Sequence, residues 1–327
     1  MIRSKLRSFF PALCLVALAT AGTAGAQPAA YPAKAVRIVV PFPAGGLVDG
    51  MARVLMPEIA RSIGQTIVVD NRGGASGSIG AAAAAQAAPD GYTLLMVLDS
   101  HAINPLVYKS LPYDTDKDFV PVSLIARAPM VAVANEQLPV KDIRELVQYA
   151  KQHPQAVNFA SVGAGSASHL TAELFNLTAN VAMTHVPYKG GAPAQTDLMG
   201  GQVQLMWGTA PYAQSLVKAG KLKALGQAGA GRSAAFPALP TLAEQGFPGF
   251  EAYGWIGLLA PAGTPPAVVA FWNQQLARAV KNPEIAKRLT EQGFDVVVSS
   301  PESFAQFMKS EQRTWARVIK EKNVPLQ

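Results

Sequence analysis

Short apolar runs, each followed by a small-residue loop and then by a segment of helical periodicity, recur along this chain. In the first, residues 36–40 predict a strand, residues 41–46 a tight loop, and Met51, Ala52, Leu55, Met56, Ile59 and Ile63 one face of a helix. The strand lacks polar alternation, as expected when both faces of a parallel sheet are covered. Two prolines fix φ in the loop. Phe42 lies between the two prolines and Ala44 leads on to Gly45 and Gly46, which permit close backbone approach where free helix N–H groups and the positive dipole end converge. This predicts an anion cradle, although one such unit reads equally well as a plain strand-to-helix turn.

The device repeats. Residues 66–70 predict a second strand, followed by a loop carrying Gly73, Gly74, Ala75 and Ser76 and an alanine-rich helix over 79–88. A third strand, 92–98, ends at Asp99, Ser100 and His101. Residues 119–126 have β character, where the chain is expected to leave a first domain, and 130–134 begin a separate strand. A helix over 142–151 and a strand over 157–160 lead to a third cradle, from Ser161 through Gly163, Ala164 and Ser166, and a helix from His169. A fourth candidate, Pro187-Tyr188-Lys189-Gly190-Gly191, opens a helix through Met199, and strands at 203–207 and 222–227 complete that sheet. Residues 232–248 are turn-rich, as a return crossing requires. A strand over 251–260 and helices over 265–280, 284–292 and 302–321 follow, the last helices expected to pack on the first domain. Alternating strands and helices with short loops predict an α/β fold of two domains, each a mostly parallel sheet flanked by helices. The expected division is residues 27–127 with 236–327, and residues 128–235.

Composition narrows the class. Residues 1–26 carry Arg3, Lys5 and Arg7, an apolar run over 9–19 and a small-residue site at Ala24-Gly25-Ala26, the pattern of a secretory signal peptide. The only cysteine, Cys14, lies in that run, so no disulfide or thiolate metal site is expected beyond it. The formal charge of +7 falls to +4 without the leader's three basic residues, which decides little about partners. An exported chain of this length without disulfides is expected to be a soluble protein of the bacterial periplasm.

Catalytic and cofactor signatures are weak. Gly163-x-Gly165-x-x-Ser168 lacks the third glycine of the dinucleotide fingerprint, and Thr184 stands where an acid is needed. There is no phosphate-binding GxxxxGK[ST] loop and no GxSxG elbow. A nucleophile at Ser166 would need a base, and His169, at the first turn of the helix, more naturally meets a ligand or caps the helix. His101, His153, His169 and His185 lack metal-ligand spacing. His101 and His169 follow strand ends at cradle level, so they are either pocket residues or ordinary buried histidines. Asp49, in a first helical turn, would repel an anion, and a loop-shaping role is expected. No cofactor, no metal, no nucleic acid and no enzymatic activity are expected.

The chain resembles the periplasmic solute-binding proteins of tripartite tricarboxylate transporters, the Bug or TctC-like family. The residues carrying the likeness are Tyr31-Pro32 with residues 36–46, Asp49 and Ala52-Arg53; Gly64-Gln65 through Asn71-Arg72; Pro89-Asp90-Gly91-Tyr92; Leu111-Pro112-Tyr113-Asp114; His185-Val186-Pro187-Tyr188-Lys189-Gly190; and residues 260–265. The resemblance implies a type II Venus-flytrap receptor that closes on a small carboxylate and delivers it to a membrane permease. It also implies that residues 42–46 and 161–166 hold one carboxylate from opposing domains. Gly73 replaces a usual proline, and Pro57 should kink the first helix. Phe42, Ser76, Ser100, His101, His169 and Thr209 are expected pocket residues. With no arginine in the cradles except Arg72 at an edge, the expected ligand is a mono- or dicarboxylate, an aromatic one such as terephthalate included, rather than citrate. A monomer is expected. The alternatives are a secreted hydrolase of a small ester or amide, and a ligand sensor for a membrane kinase.

Overall fold

The computed structural model describes residues 31–327, so the expected leader and Cys14 lie outside the described residues. The strands are β1 (Val36–Val40), β2 (Ile67–Asn71), β3 (Thr93–Leu98), β4 (Phe119–Ala134), β5 (Asn158–Ser161), β6 (Thr184–Pro187), β7 (Leu205–Thr209), β8 (Lys223–Gln227), β9 (Tyr253–Pro261) and β10 (Asp295–Val296). The helices are α1 (Leu47–Ile63), α2 (Ser78–Ala85), α3 (Ser100–Val107), α4 (Ile143–Gln152), α5 (Ala167–Ala179), α6 (Gly191–Met199), α7 (Ala210–Lys218), α8 (Pro266–Ala279), α9 (Pro283–Glu291) and α10 (Pro301–Glu321).

β1 lies between β2 and β3, parallel to both. β9 joins β3 antiparallel, and the first part of β4 joins β9 antiparallel. The last five residues of β4 pair antiparallel with β7, and its segment Val131 to Ala134 pairs with β8 on the other side. β5 then lies parallel between β7 and β6. Each half of the fold is therefore a set of three parallel strands completed by antiparallel ones, with β4 common to both.

The sequence reading divides β4 in two; the structure has one strand of 16 residues. Pro121 and Pro129 interrupt the β pattern, because proline withdraws a ladder donor. Register shifts near Pro121/Ser123 and Leu124/Ala126 absorb the irregularity, and Pro129 still sits opposite Tyr253. Two helices, α3 and α7, escape the periodicity reading. Each is short, with Pro105 inside the first and a proline in the opening turn of the second, so neither shows a full apolar repeat. α1 runs through Pro57 as a single helix. Its buried face of Met51, Ala52, Leu55, Met56 and Ile59 holds it against the sheet, outweighing the lost donor.

Two cores follow the two halves. Val39, Leu95, Val97, Trp255, Leu259 and Phe304 belong to one, and Phe159, Leu170, Phe175, Leu205 and Trp207 to the other. The last helix does not belong to the first half alone. Phe304 and Met308 of α10 enter the first core, and Trp315 and Val318 the second. At about 1.5 Å per residue its 21 residues reach roughly 31 Å, enough to span both. Every residue of β9 is buried, and Gly257 gives its space to the Phe304 ring, which a Cβ there would overlap. Gly257→Ala should therefore cost about 1–3 kcal/mol by overpacking. Urea unfolding checks this, and an unchanged midpoint would show that α10 shifts freely.

Candidate functional site

The C-terminal ends of the parallel strands of both sheets open onto one cleft of about 1040 Å³. Open α/β sheets bind ligands at this place, because strand ends leave loops and helix starts without covering elements. Five helices begin at its wall: Leu47 opens α1, Ser100 opens α3, Ala167 opens α5, Gly190 precedes α6 and Thr209 precedes α7, and all five residues line the cleft. Each helix start presents N–H groups without intrahelical acceptors and the positive end of its dipole. Lys189 is the basic side chain on the wall and Asp99 the acidic one, among the described residues. Much of the remaining lining is apolar or aromatic, including Phe42, Tyr108, Met130, Tyr212, Trp255 and Phe294.

The loop after β1 is shaped from behind. Asp49 is 2% exposed, and its carboxylate accepts from the Gly45 N–H at 2.9 Å and from Arg53 Nε at 2.8 Å. The Arg53 hydrogen bond, against the cost of burial and with help from Gly45, holds the Asp49 carboxyl down at about 2. The Gly46 N–H turns inward to the Pro43 carbonyl at 3.2 Å. Phe42 and Leu47 therefore face the cleft, whereas Ala44, Gly45 and Gly46 are not on its wall. Glycine is needed at position 45 for its φ of +81°, since a Cβ there would meet nothing.

Ala75 and Ser76, in the loop after β2, line the cleft with φ of 46° and 51°, left-handed values that non-glycine residues adopt at a cost. α3 pins them. Ser100 Oγ and Asn104 Nδ2 each donate to the Ser76 carbonyl at 3.1 Å, and the Tyr108 hydroxyl donates to Ser76 Oγ at 3.2 Å.

In the loop after β5 most donors are turned inward. The Val162 N–H reaches Ser168 Oγ, Gly163 reaches Ser161 Oγ, Gly165 reaches His169 Nδ1 at 3.0 Å, and Ser166 reaches the Gly163 carbonyl. The N–H groups of Ala164, Ala167 and Ser168 have no partner among the described residues, and these three residues line the cleft with Gly163 and Ser166. Ser161 is buried and bonded to His185 Nε2 at 2.7 Å, so it supports the loop from beneath. Ser166 caps α5 and donates to the Gly163 carbonyl at 2.6 Å. Its side chain is not bonded to the His169 ring, so no serine–histidine pair is formed there.

Both candidate histidines lie behind the wall rather than on it. His169, 4% exposed, stacks on His185 at 3.7 Å, and His101, 3% exposed, stacks on Tyr113 with Phe119 edge-on at 5.0 Å. Periodicity placed them at the right level of the sheet but could not say which way their rings turn. Of the remaining expected residues, Ser100 and Thr209 line the cleft. Tyr188, from the fourth candidate cradle, and Asp99, at the end of the third strand, also line it, though neither was singled out as a pocket residue; Asn104, Tyr108, Trp255 and Phe294 went unseen as lining, because α3 was not read as a helix and the last two arrive from far along the chain.

Burial lowers the His101 pKa to about 3, so the ring stays neutral in the folded state while an unfolded histidine titrates near 6.5. The unfolded chain then binds one more proton between those values. The stabilising contribution is complete above pH 6.5 and is lost as pH falls toward 3, at about 1.4 kcal/mol per pH unit. His101→Phe should remove about that slope from denaturant-derived stability measured between pH 5.5 and 4. An identical slope in both proteins would show that His101 charges in the folded state.

A family model for the tripartite tricarboxylate transporter family receptor matches residues 51–324. BugT of Bordetella pertussis is 38% identical over 312 residues, covering 94% of this chain and 96% of that protein. Among solved structures, Rpa4515 of R. palustris with adipate is 36% identical with a TM-score of 0.81, covering 91% of this chain and 100% of that one. MatC of Rhodopseudomonas palustris with bound malate is 36% identical with a TM-score of 0.76, covering 88% and 100%. The strand order, the shared cleft and these likenesses agree on the two-domain periplasmic-binding-protein fold. The chain belongs to the tripartite tricarboxylate transporter receptors, a family of solute-binding proteins rather than enzymes.

Proposed function

We propose that this receptor captures a small mono- or dicarboxylate, aromatic acids included, in the cleft and delivers it from the periplasm to the permease of a tripartite tricarboxylate-type transporter. The observation that carries the reading is the convergence of five helix starts on a wall with one basic side chain. An anion there is held chiefly by N–H dipoles and hydroxyls, which suits one or two charges and gives no guanidinium clamp for three. The aromatic lining and the volume of about 1040 Å³ favour a ligand with an apolar body. That relatives are described with adipate and malate supports the carboxylate class.

In this proposal the lobes are residues 27–127 with 236–327, and residues 128–235, and they act as a monomer. Their closure excludes water from the carboxylate and strengthens each N–H contact in the lower dielectric. The binding residues are Phe42, Ala75, Ser76, Ser100, Gly163, Ala164, Ser166 and Thr209, with Gly45 and Asp49 shaping the first loop.

Thermal shift against aliphatic and aromatic mono- and dicarboxylates, citrate and amino acids tests the reading. At least one mono- or dicarboxylate should raise the melting temperature more than citrate does. Ser166→Ala should lower stability by about 1 kcal/mol through the lost cap and retain the ligand shift. Ser166→Leu should lose the shift, because its side chain fills the cleft. A panel without any carboxylate shift, or a Leu variant that binds like the parent, defeats the proposal.

A further inference from the structure

Asp99 is a carboxylate on the wall of a cleft otherwise suited to anions. It follows β3 directly, stands at the start of α3, and makes no capping hydrogen bond to that helix. Its Oδ2 would lie 3.3 Å from a Cβ placed on Gly254, and the same Cβ would overlap the methyl of Thr209. Asp99 and Thr209, from the two sheets, thus converge over a glycine of β9 that leaves the floor of the cleft open between them. Asp99, Thr209 and Gly254 all line the cleft.

Among the described residues no basic side chain pairs with this carboxylate. Trp255 on the floor and Trp315 behind it both give their Nε1–H groups to Glu311 of α10, at 3.2 and 3.1 Å. The charge that acts on Asp99 is that of a second acid, Glu311. Burial, reinforced by Glu311 and opposed by the Ser100 N–H, pushes the Asp99 carboxyl up to about 7. Asp99 is half-buried on the cleft wall, and an acceptor with so few donors around it is costly to desolvate unless the ligand supplies one.

We propose that Asp99 determines specificity by accepting a hydrogen bond from a hydroxyl or ammonium group of the bound acid, and that it disfavours a second carboxylate at that position. The inference rests on the carboxylate-binding reading and deepens it. The helix starts hold the ligand's carboxylate, and Asp99 reads a donor elsewhere on its body. A site in which the ligand covers such an acceptor discriminates strongly against an analogue lacking the donor, because that analogue desolvates Asp99 without repaying it. Hydroxy and amino acids are then the favoured substrate class.

Calorimetric titration of matched series tests this: benzoate, 3- and 4-hydroxybenzoate, isophthalate and terephthalate on one side, and succinate, malate and aspartate on the other. In whichever series binds, titrated at about pH 8 where Asp99 is ionised, a donor-bearing acid should bind about tenfold or more tighter than its parent, as a hydrogen bond to a charged acceptor implies. Hydroxybenzoate should also exceed the corresponding benzene dicarboxylate. Asp99→Asn, nearly the same in shape, should shrink the preference by about tenfold and improve the dicarboxylates, since its amide can donate; a thermal melt of the free variant confirms folding. Equal binding of parents and donor-bearing acids in the wild type, or an unchanged ratio in folded Asp99→Asn, overturns the role of Asp99 and leaves the receptor reading intact. Binding of no carboxylate at all overturns both.

Discussion

A single long strand sets the geometry on which the cleft depends. β4 pairs with β9 over its first part and with β7 and β8 over its last, so the two sets of parallel strands share one ladder. Hydrogen bonding fixes their relative register, and the carboxyl ends of all six parallel strands open onto the same space. Proline in β4 would ordinarily argue against so central a strand. It is tolerated because the register shifts near Pro121 relieve the ladder, and because the strand is paired for most of its length. α10 adds a second tie by placing one end in each core.

Given that frame, the loops at the cleft are organised by what lies behind them. Asp49 and Arg53 hold the first, Asn104 and Tyr108 the second, and His169 with His185 the third. Many N–H groups that a cradle would offer are bound within the loop itself, and what the wall presents is the helix starts and the few donors left free. Preorganisation of this kind makes the wall stiff, so a ligand meets donors already oriented rather than ordering them on arrival. The strain at Ala75 and Ser76 is held in place by the same means, through two hydrogen bonds from α3 and one from Tyr108, which follows it.

The electrostatic character of the cleft is correspondingly mixed. Lys189 and Asp99 are its charged side chains among the described residues, and the apolar floor around Trp255, Met130 and Phe294 keeps the dielectric low. In such surroundings each dipole and each unpaired carboxylate counts for more than at a surface. Neutral buried histidines are compatible with this, because burial holds the rings of His101, His169 and His185 uncharged at neutral pH.

The sequence by itself determined the α/β class, the placement of the first three strands, the cradle loops after β1, β2 and β5, and the loop-shaping role of Asp49. Each rests on local signals: apolar runs, glycine and proline punctuation, and a carboxylate in a first helical turn. The resemblance to the receptor family was equally legible, because its residues are ordered along the chain. What only the tertiary structure decided depends on contacts between distant segments. The unity of β4 comes from its partners and not from its own pattern, and α3 and α7 are stabilised by packing where local periodicity is too short to declare them. Whether a residue at cradle level faces the cleft or the core is a matter of side-chain direction, which strand-end position does not specify. Ser100 and Thr209 turned toward the cleft and His101 and His169 away from it, and Asp99, Trp255 and Phe294 meet there from three separate stretches of the chain.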